Sequence, residues 1–161
     1  ATAAIPAVAP EQIRAAGQYL AALVAGVASG AAPEVAVHED EVLLTLADGI
    51  GFDSGRSELS GPVESVLGEL RDIVRSMPGA AIEVSGHTDD RPIRTARFPS
   101  NLELSLARAA AVAQFLSRGE ADLPGHIFAA RYAARPPRAP NADARGRAQN
   151  RRVEIRLIAL R

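Results

Sequence analysis

The sequence contains no cysteine, no lysine and no tryptophan, and only one methionine. Without cysteine there are no disulfides and no thiolate metal sites, although that absence fixes no compartment. Aromatic residues make up 4% of the 161 positions, so a core must be built from Ala, Val, Leu and Ile, which the 47% apolar content permits for one domain. No apolar run approaches the roughly 18 residues needed to cross a bilayer. Residues 19–27 come nearest, but they are few and are broken by Gly26. No signal-peptide pattern is visible. The Ala/Pro-rich start reads as a cut inside a longer protein, with a signal or membrane anchor expected upstream.

All 18 basic residues are Arg, set against 19 acidic ones for a net charge of −1. This balance gives no overall attraction to nucleic acid or to an anionic membrane. Residues 131–161 are locally basic but carry almost no aromatic side chains on which bases would stack, so no nucleic-acid partner is expected. An Ala- and Arg-rich chain without Lys is better explained by base composition than by ligand chemistry.

Periodicity divides the chain into residues 1–34, a linker and a helix, and residues 35–161, an α/β domain. The first helix places Ile13, Gly17, Leu20, Val24 and Val27 on one face and is expected to stop at Gly30 and Pro33. Residues 35–37 and 42–46 read as a hairpin around an acidic turn. Residues 49–61 are loop-like, with Phe52 as an anchor packed onto the core. Ser60 and Pro62 open the clearest amphipathic helix, carrying Val63, Val66, Leu67, Leu70, Ile73, Val74 and Met77, which Pro78 and Gly79 end. A strand at 81–86 turns Ile82 and Val84 inward, and a polar loop at 87–99 follows. Ser100-Asn101-Leu102-Glu103 then forms a capping box. It opens a helix running to about Arg118, with an expected buried stripe of Leu102, Leu106, Ala109, Ala113 and Leu116. A strand at 127–132, a Pro/Arg-rich loop at 135–146 and a last strand at 151–157 complete the chain. Val153, Ile155 and Leu157 alternate along that last strand. The pattern predicts a two-layer α/β sandwich with helices on one face of the sheet.

Polar residues gather in three places: after the 81–86 strand, on the helix opening near Ser100, and before the last strand. Asn101 and Arg108 are two helical turns apart and share a face, with Leu104 and Ser105 between them. Arg108 has no acidic residue within four positions, so if buried it needs a carboxylate from elsewhere. Asp89, in the loop leading into the same helix, is the natural counterpart. The two either pair with each other or divide a zwitterion between them, with ammonium to Asp89 and carboxylate to the Arg108 fork.

The motifs GHTDD (86–90), PSNLELSLARAAAV (99–112) and NRRVE (150–154), with FDSG at 52–55, resemble the OmpA-like (OmpA/MotB C-terminal) peptidoglycan-binding domain over about residues 42–158. That resemblance implies the OmpA-like βαβαββ fold and binding of the diaminopimelate-containing stem peptide of peptidoglycan. It assigns the diamino acid to Asp89 and Arg108, with Asn101, Thr88, Leu104, Arg151 and Arg152 around them. The long insert between Arg91 and Pro99 is most similar to the MotB flagellar stator type and to the periplasmic extension of type VI secretion TssL proteins. Two positions depart from the stator pattern: Leu102 stands where Trp is usual, and Tyr132-Ala133-Ala134 replaces a glycine-rich turn. The likeness implies a periplasmic module of an inner-membrane-anchored protein. It would have membrane-embedded partners upstream, no cofactor and no enzymatic activity, and it allows a homodimer. A metal-dependent peptidoglycan hydrolase is the rival of a different class. His87-x-Asp89 offers only two of the three or four ligands zinc requires. Ser85, His87 and Asp89, on one strand end, are poorly placed for a nucleophilic triad.

Overall fold

A computed structural model of the chain describes residues 8–27, 33–47, 49–52, 56–87, 101–117, 127–132 and 150–159. In chain order its elements are α1 (Pro10–Ala25), β1 (Glu34–Val37), β2 (Glu41–Ala47), α2 (Gly61–Ser76), β3 (Ala80–His87), α3 (Asn101–Ser117), β4 (Ile127–Tyr132) and β5 (Arg152–Ala159). From β2 onward this is the expected βαβαββ order. The strands form one mixed sheet in the order β1-β2-β5-β3-β4. β3 and β4 are parallel, as a connection through α3 requires, and the other neighbours are antiparallel. The last strand in sequence is therefore the middle strand of the sheet.

Strand alternation builds the core. Val42, Leu44 and Leu46 of β2, Ile82 and Val84 of β3, and Val153, Ile155 and Leu157 of β5 are buried on one face. They meet Ile13, Ala16 and Leu20 of α1, Val63, Val66, Leu67, Leu70 and Val74 of α2, and Ala109, Val112 and Leu116 of α3 in a single cluster. Each large apolar side chain so buried contributes roughly 2 kcal/mol. The apolar face of α1 thus packs on the sheet of its own chain. Tyr19 donates to Glu69 of α2 (3.1 Å) and Arg14 to the Glu39 carbonyl in the hairpin turn (3.0 Å). The helix ends earlier than expected, at Ala25, with Gly26 as its C-cap.

Ser60 holds the N-cap of α2, as expected, but its hydroxyl makes no cap bond and instead reaches the Ile50 carbonyl at 3.5 Å. The Ser60 N–H donates to the Gly51 carbonyl (3.1 Å), and residues 51–52 and 56–60 form a strap between β2 and α2. The capping box at Ser100 and the loop at 135–146 lie outside the described residues.

The rotation of α3 departs from the expected stripe. Leu106 is only half-buried, whereas Leu104, Ser105, Arg108, Ala109, Val112 and Leu116 are buried. The cause is a backbone approach. A Cβ added at Gly86 of β3 would stand 2.4 Å from the Ser105 carbonyl oxygen. Docking at Ser105 turns the 105-109-112-116 row to the sheet and carries Arg108 inward beside it.

The opposite face of the sheet carries a ladder of charges. Arg156 meets Glu41 at 3.2 Å and Glu154 at 3.4 Å, Arg152 Nε donates to Glu154 at 2.7 Å, and His87 Nε2 lies 3.4 Å from the same carboxylate. The Arg152 and Glu154 side chains are 5% and 7% exposed, against 26% for Glu41. Buried pairs tolerate loss of one partner badly, because the remaining charge stays desolvated.

Urea unfolding tests two pairs of substitutions. Gly86→Ala is expected to cost about 2 kcal/mol by forcing α3 off the strand. Gly17→Ala should cost less, since its Cβ would meet Val42 and Val37 side-chain methyls rather than backbone, and alanine favours the helix over glycine. Glu154→Ala is expected to cost about 3 kcal/mol, and Glu41→Ala under about 1 kcal/mol. Equal losses at Glu154 and Glu41 would contradict the ladder's burial-dependent role.

Candidate functional site

Arg108 is the charged residue that the fold handles most unusually. It lies on the second turn of α3 after Asn101, and its residue is 3% exposed. The Phe52 ring lies under the guanidinium, with Cζ 5.1 Å from the ring centroid, and Nε donates to the Arg56 carbonyl at 2.8 Å. Both contacts come from the strap, so Arg108 joins α3 to the segment that leads into α2. The planar fork of a guanidinium has the geometry to engage a carboxylate through two parallel hydrogen bonds.

Leu104, one turn before Arg108, is buried on the same side of the helix at 2% exposure. Asn101 is the first residue of α3. Thr88 and Asp89 lie outside the described residues; in sequence they follow His87, the last residue of β3. Arg151 stands half-buried at the approach to β5. Arg152 is not brought to Arg108. Strand alternation puts it with Glu154 and Arg156 on the face away from Val153, where it binds Glu154 and the Asn150 carbonyl (3.3 Å). The resemblance put Arg151 and Arg152 together at the pocket; Arg151 precedes β5, whereas Arg152 begins the strand and follows its alternation.

Two parts of this arrangement had little or no signal in the sequence. Phe52 was legible as a core anchor, which it is at 2% exposure. Its second role under a guanidinium depends on a contact across 56 positions. The Arg56 carbonyl is a backbone group and has no residue-type signature at all.

Two grooves among the described residues lie apart from Arg108. One, about 510 Å³, runs between the strap at Ser57–Leu59 and the Ala107, Ala110, Ala111 and Phe115 side of α3. The other, about 250 Å³, lies on the open face of the sheet beside Arg152 and Glu154. Among the described residues no group of three or more His, Cys, Asp and Glu could hold a metal ion, and no helix is long and apolar enough to cross a membrane.

Comparison with known proteins gives this geometry a family. Motility protein B of Bacillus subtilis is 33% identical over 126 residues, which is 78% of this chain and 48% of that protein. The peptidoglycan-binding protein ArfA of Mycobacterium tuberculosis is 35% identical over 107 residues, 66% of this chain and 31% of that protein. The chain thus spans about half or less of the length of these relatives. Among solved structures, the cell wall anchor of the type VI secretion system from Pseudomonas aeruginosa superposes with a TM-score of 0.70 at 36% identity, covering 87% of this chain and 96% of that one. The OmpA family model matches residues 51–151, from the strap that holds Arg108 to the approach to the last strand. With that match covering most of its length, the chain belongs to the OmpA family.

Proposed function

We propose that this domain binds peptidoglycan without covalent chemistry, holding the diaminopimelate of the stem peptide between Asp89 and Arg108. The observation that carries this reading is the buried Arg108, oriented by Phe52 and Arg56 on the helix docked against Gly86. Asp89 follows Gly86 by three residues in the chain. A diamino acid's amphoteric end presents one ammonium and one carboxylate, and a carboxylate and a guanidinium match that pair of charges. Asn101, Thr88, Leu104 and Arg151 surround the pair in this reading. Arg152 supports it from the other face, where its contact with Glu154 links the start of β5 to His87 at the end of β3.

The relatives are named as peptidoglycan-binding, motility and cell-wall-anchoring proteins. That supports an anchoring module in the periplasm, carried by an inner-membrane protein, and no activity on the wall. We read the parent complex as a MotB-type flagellar stator, with membrane-embedded subunits upstream and a second copy of the chain as partners. A type VI secretion anchor is the second reading, favoured by the solved anchor's 36% identity over nearly its whole length. The upstream sequence separates the two. One transmembrane helix bearing an Asp belongs to a proton-driven stator, and a cytoplasmic helical domain followed by one helix belongs to the secretion component.

Cosedimentation with purified sacculi tests the binding reading. Wild type is expected to pellet with sacculi and to be released by excess soluble meso-diaminopimelate. Asp89→Ala and Arg108→Ala are each expected to weaken binding by at least about tenfold, the scale for removing one partner of a desolvated charged contact. Wild-type retention by both variants would refute the pocket, and muropeptides released by the protein with added zinc would favour a hydrolase.

A further inference from the structure

We propose that Phe52 is a positioning residue for wall binding: its ring holds the Arg108 guanidinium in the orientation in which it receives a ligand carboxylate. This rests on the reading of Arg108 above and adds to it a residue that acts through Arg108 rather than by touching the ligand.

Three observations carry the inference. The guanidinium carbon stands 5.1 Å from the Phe52 centroid, within the range at which a cation is drawn to the negative face of a ring. The Nε–H is committed to the Arg56 carbonyl at 2.8 Å, which fixes how the guanidinium plane is turned on the ring. Both restraints come from the strap, which is closed by the Ser60 N–H bond to the Gly51 carbonyl. Gly51 itself lies close against Leu46 of the core, its added Cβ meeting Leu46 Cβ at 3.1 Å. The ring is therefore fixed from below while the guanidinium rests on it. A long, rotamer-rich side chain held in this way loses little further freedom when a carboxylate arrives.

Shape and electrostatics are separable here. Site-specific Phe52→pentafluorophenylalanine keeps the ring's packing but reverses the sign of charge on its face. Phe52→Tyr retains the ring, Phe52→Leu removes it, and Leu20→Ala in α1 is a core truncation remote in sequence from the strap. Each full-length variant is titrated with soluble meso-diaminopimelate, and the Arg Nε–H resonance is assigned by NMR. The wild-type Arg108 Nε–H is expected to be shifted by the ring current and slow to exchange. The pentafluoro and Leu variants should lose about tenfold in affinity, with the resonance moving toward ordinary values, while Phe52→Tyr stays within about twofold of wild type. Leu20→Ala should lower the melting temperature without changing affinity.

Wild-type affinity in the folded pentafluoro variant overturns the proposal, and so does an affinity loss in Leu20→Ala as large as that in Phe52→Leu. If Phe52→Leu does not fold, the pentafluoro and Tyr variants decide. Should Arg108→Ala bind as wild type does, the site reading itself has failed, whatever the Phe52 series shows.

Discussion

Where β3 crosses beneath α3, the two backbones come so close that only a glycine fits between them. The approach of Gly86 to the Ser105 carbonyl decides more than local packing. It sets the rotation of α3, and the rotation sends Arg108 toward the strap instead of into solvent. A charge taken out of water costs several kcal/mol unless the protein supplies compensating contacts. Here a carbonyl supplies one and an aromatic face another, and both belong to a segment that would otherwise be an ordinary connection between β2 and α2. The family motif that begins at Gly86 thus couples a steric requirement to an electrostatic one.

The sheet supports this arrangement from its other side. Because β5 lies between β2 and β3, the end of β3 is held through pairing with the last strand of the chain, His87 opposite Arg152. Alternation then sorts the two layers of function. Val153, Ile155 and Leu157 close the core under the helices. Arg152, Glu154 and Arg156 tie β3, β5 and β2 together on the far face. The basic residues near the last strand are therefore not equivalent: Arg152 serves the sheet, whereas Arg151 remains at its approach.

Much of this was readable from residue order. The amphipathic row in α2, the alternation in β5 and the hairpin at β1 and β2 follow from periods of 3.6 and 2, and they appear as the sequence implies. Arg108 was legible as an anomaly, a charge among Ala, Leu and Val without a neighbouring carboxylate. The buried row of α3 was not legible. A helix with Leu, Ala and Val on most sides has no single apolar stripe, and the choice among its faces was made by one contact with another strand. The Phe52 and Arg56 contacts were hidden for the same reason, being long-range and, for Arg56, carried by a carbonyl.

The central claim is that a buried, pre-oriented arginine receives a carboxylate of the wall's diamino acid. A crystal structure of the domain with meso-diaminopimelate tests it most directly. The account predicts a ligand carboxylate within hydrogen-bond distance of both Nη atoms of Arg108, with the adjacent ammonium at Asp89. A ligand seated instead in the open-face groove beside Arg152 and Glu154, with Arg108 untouched, would contradict it.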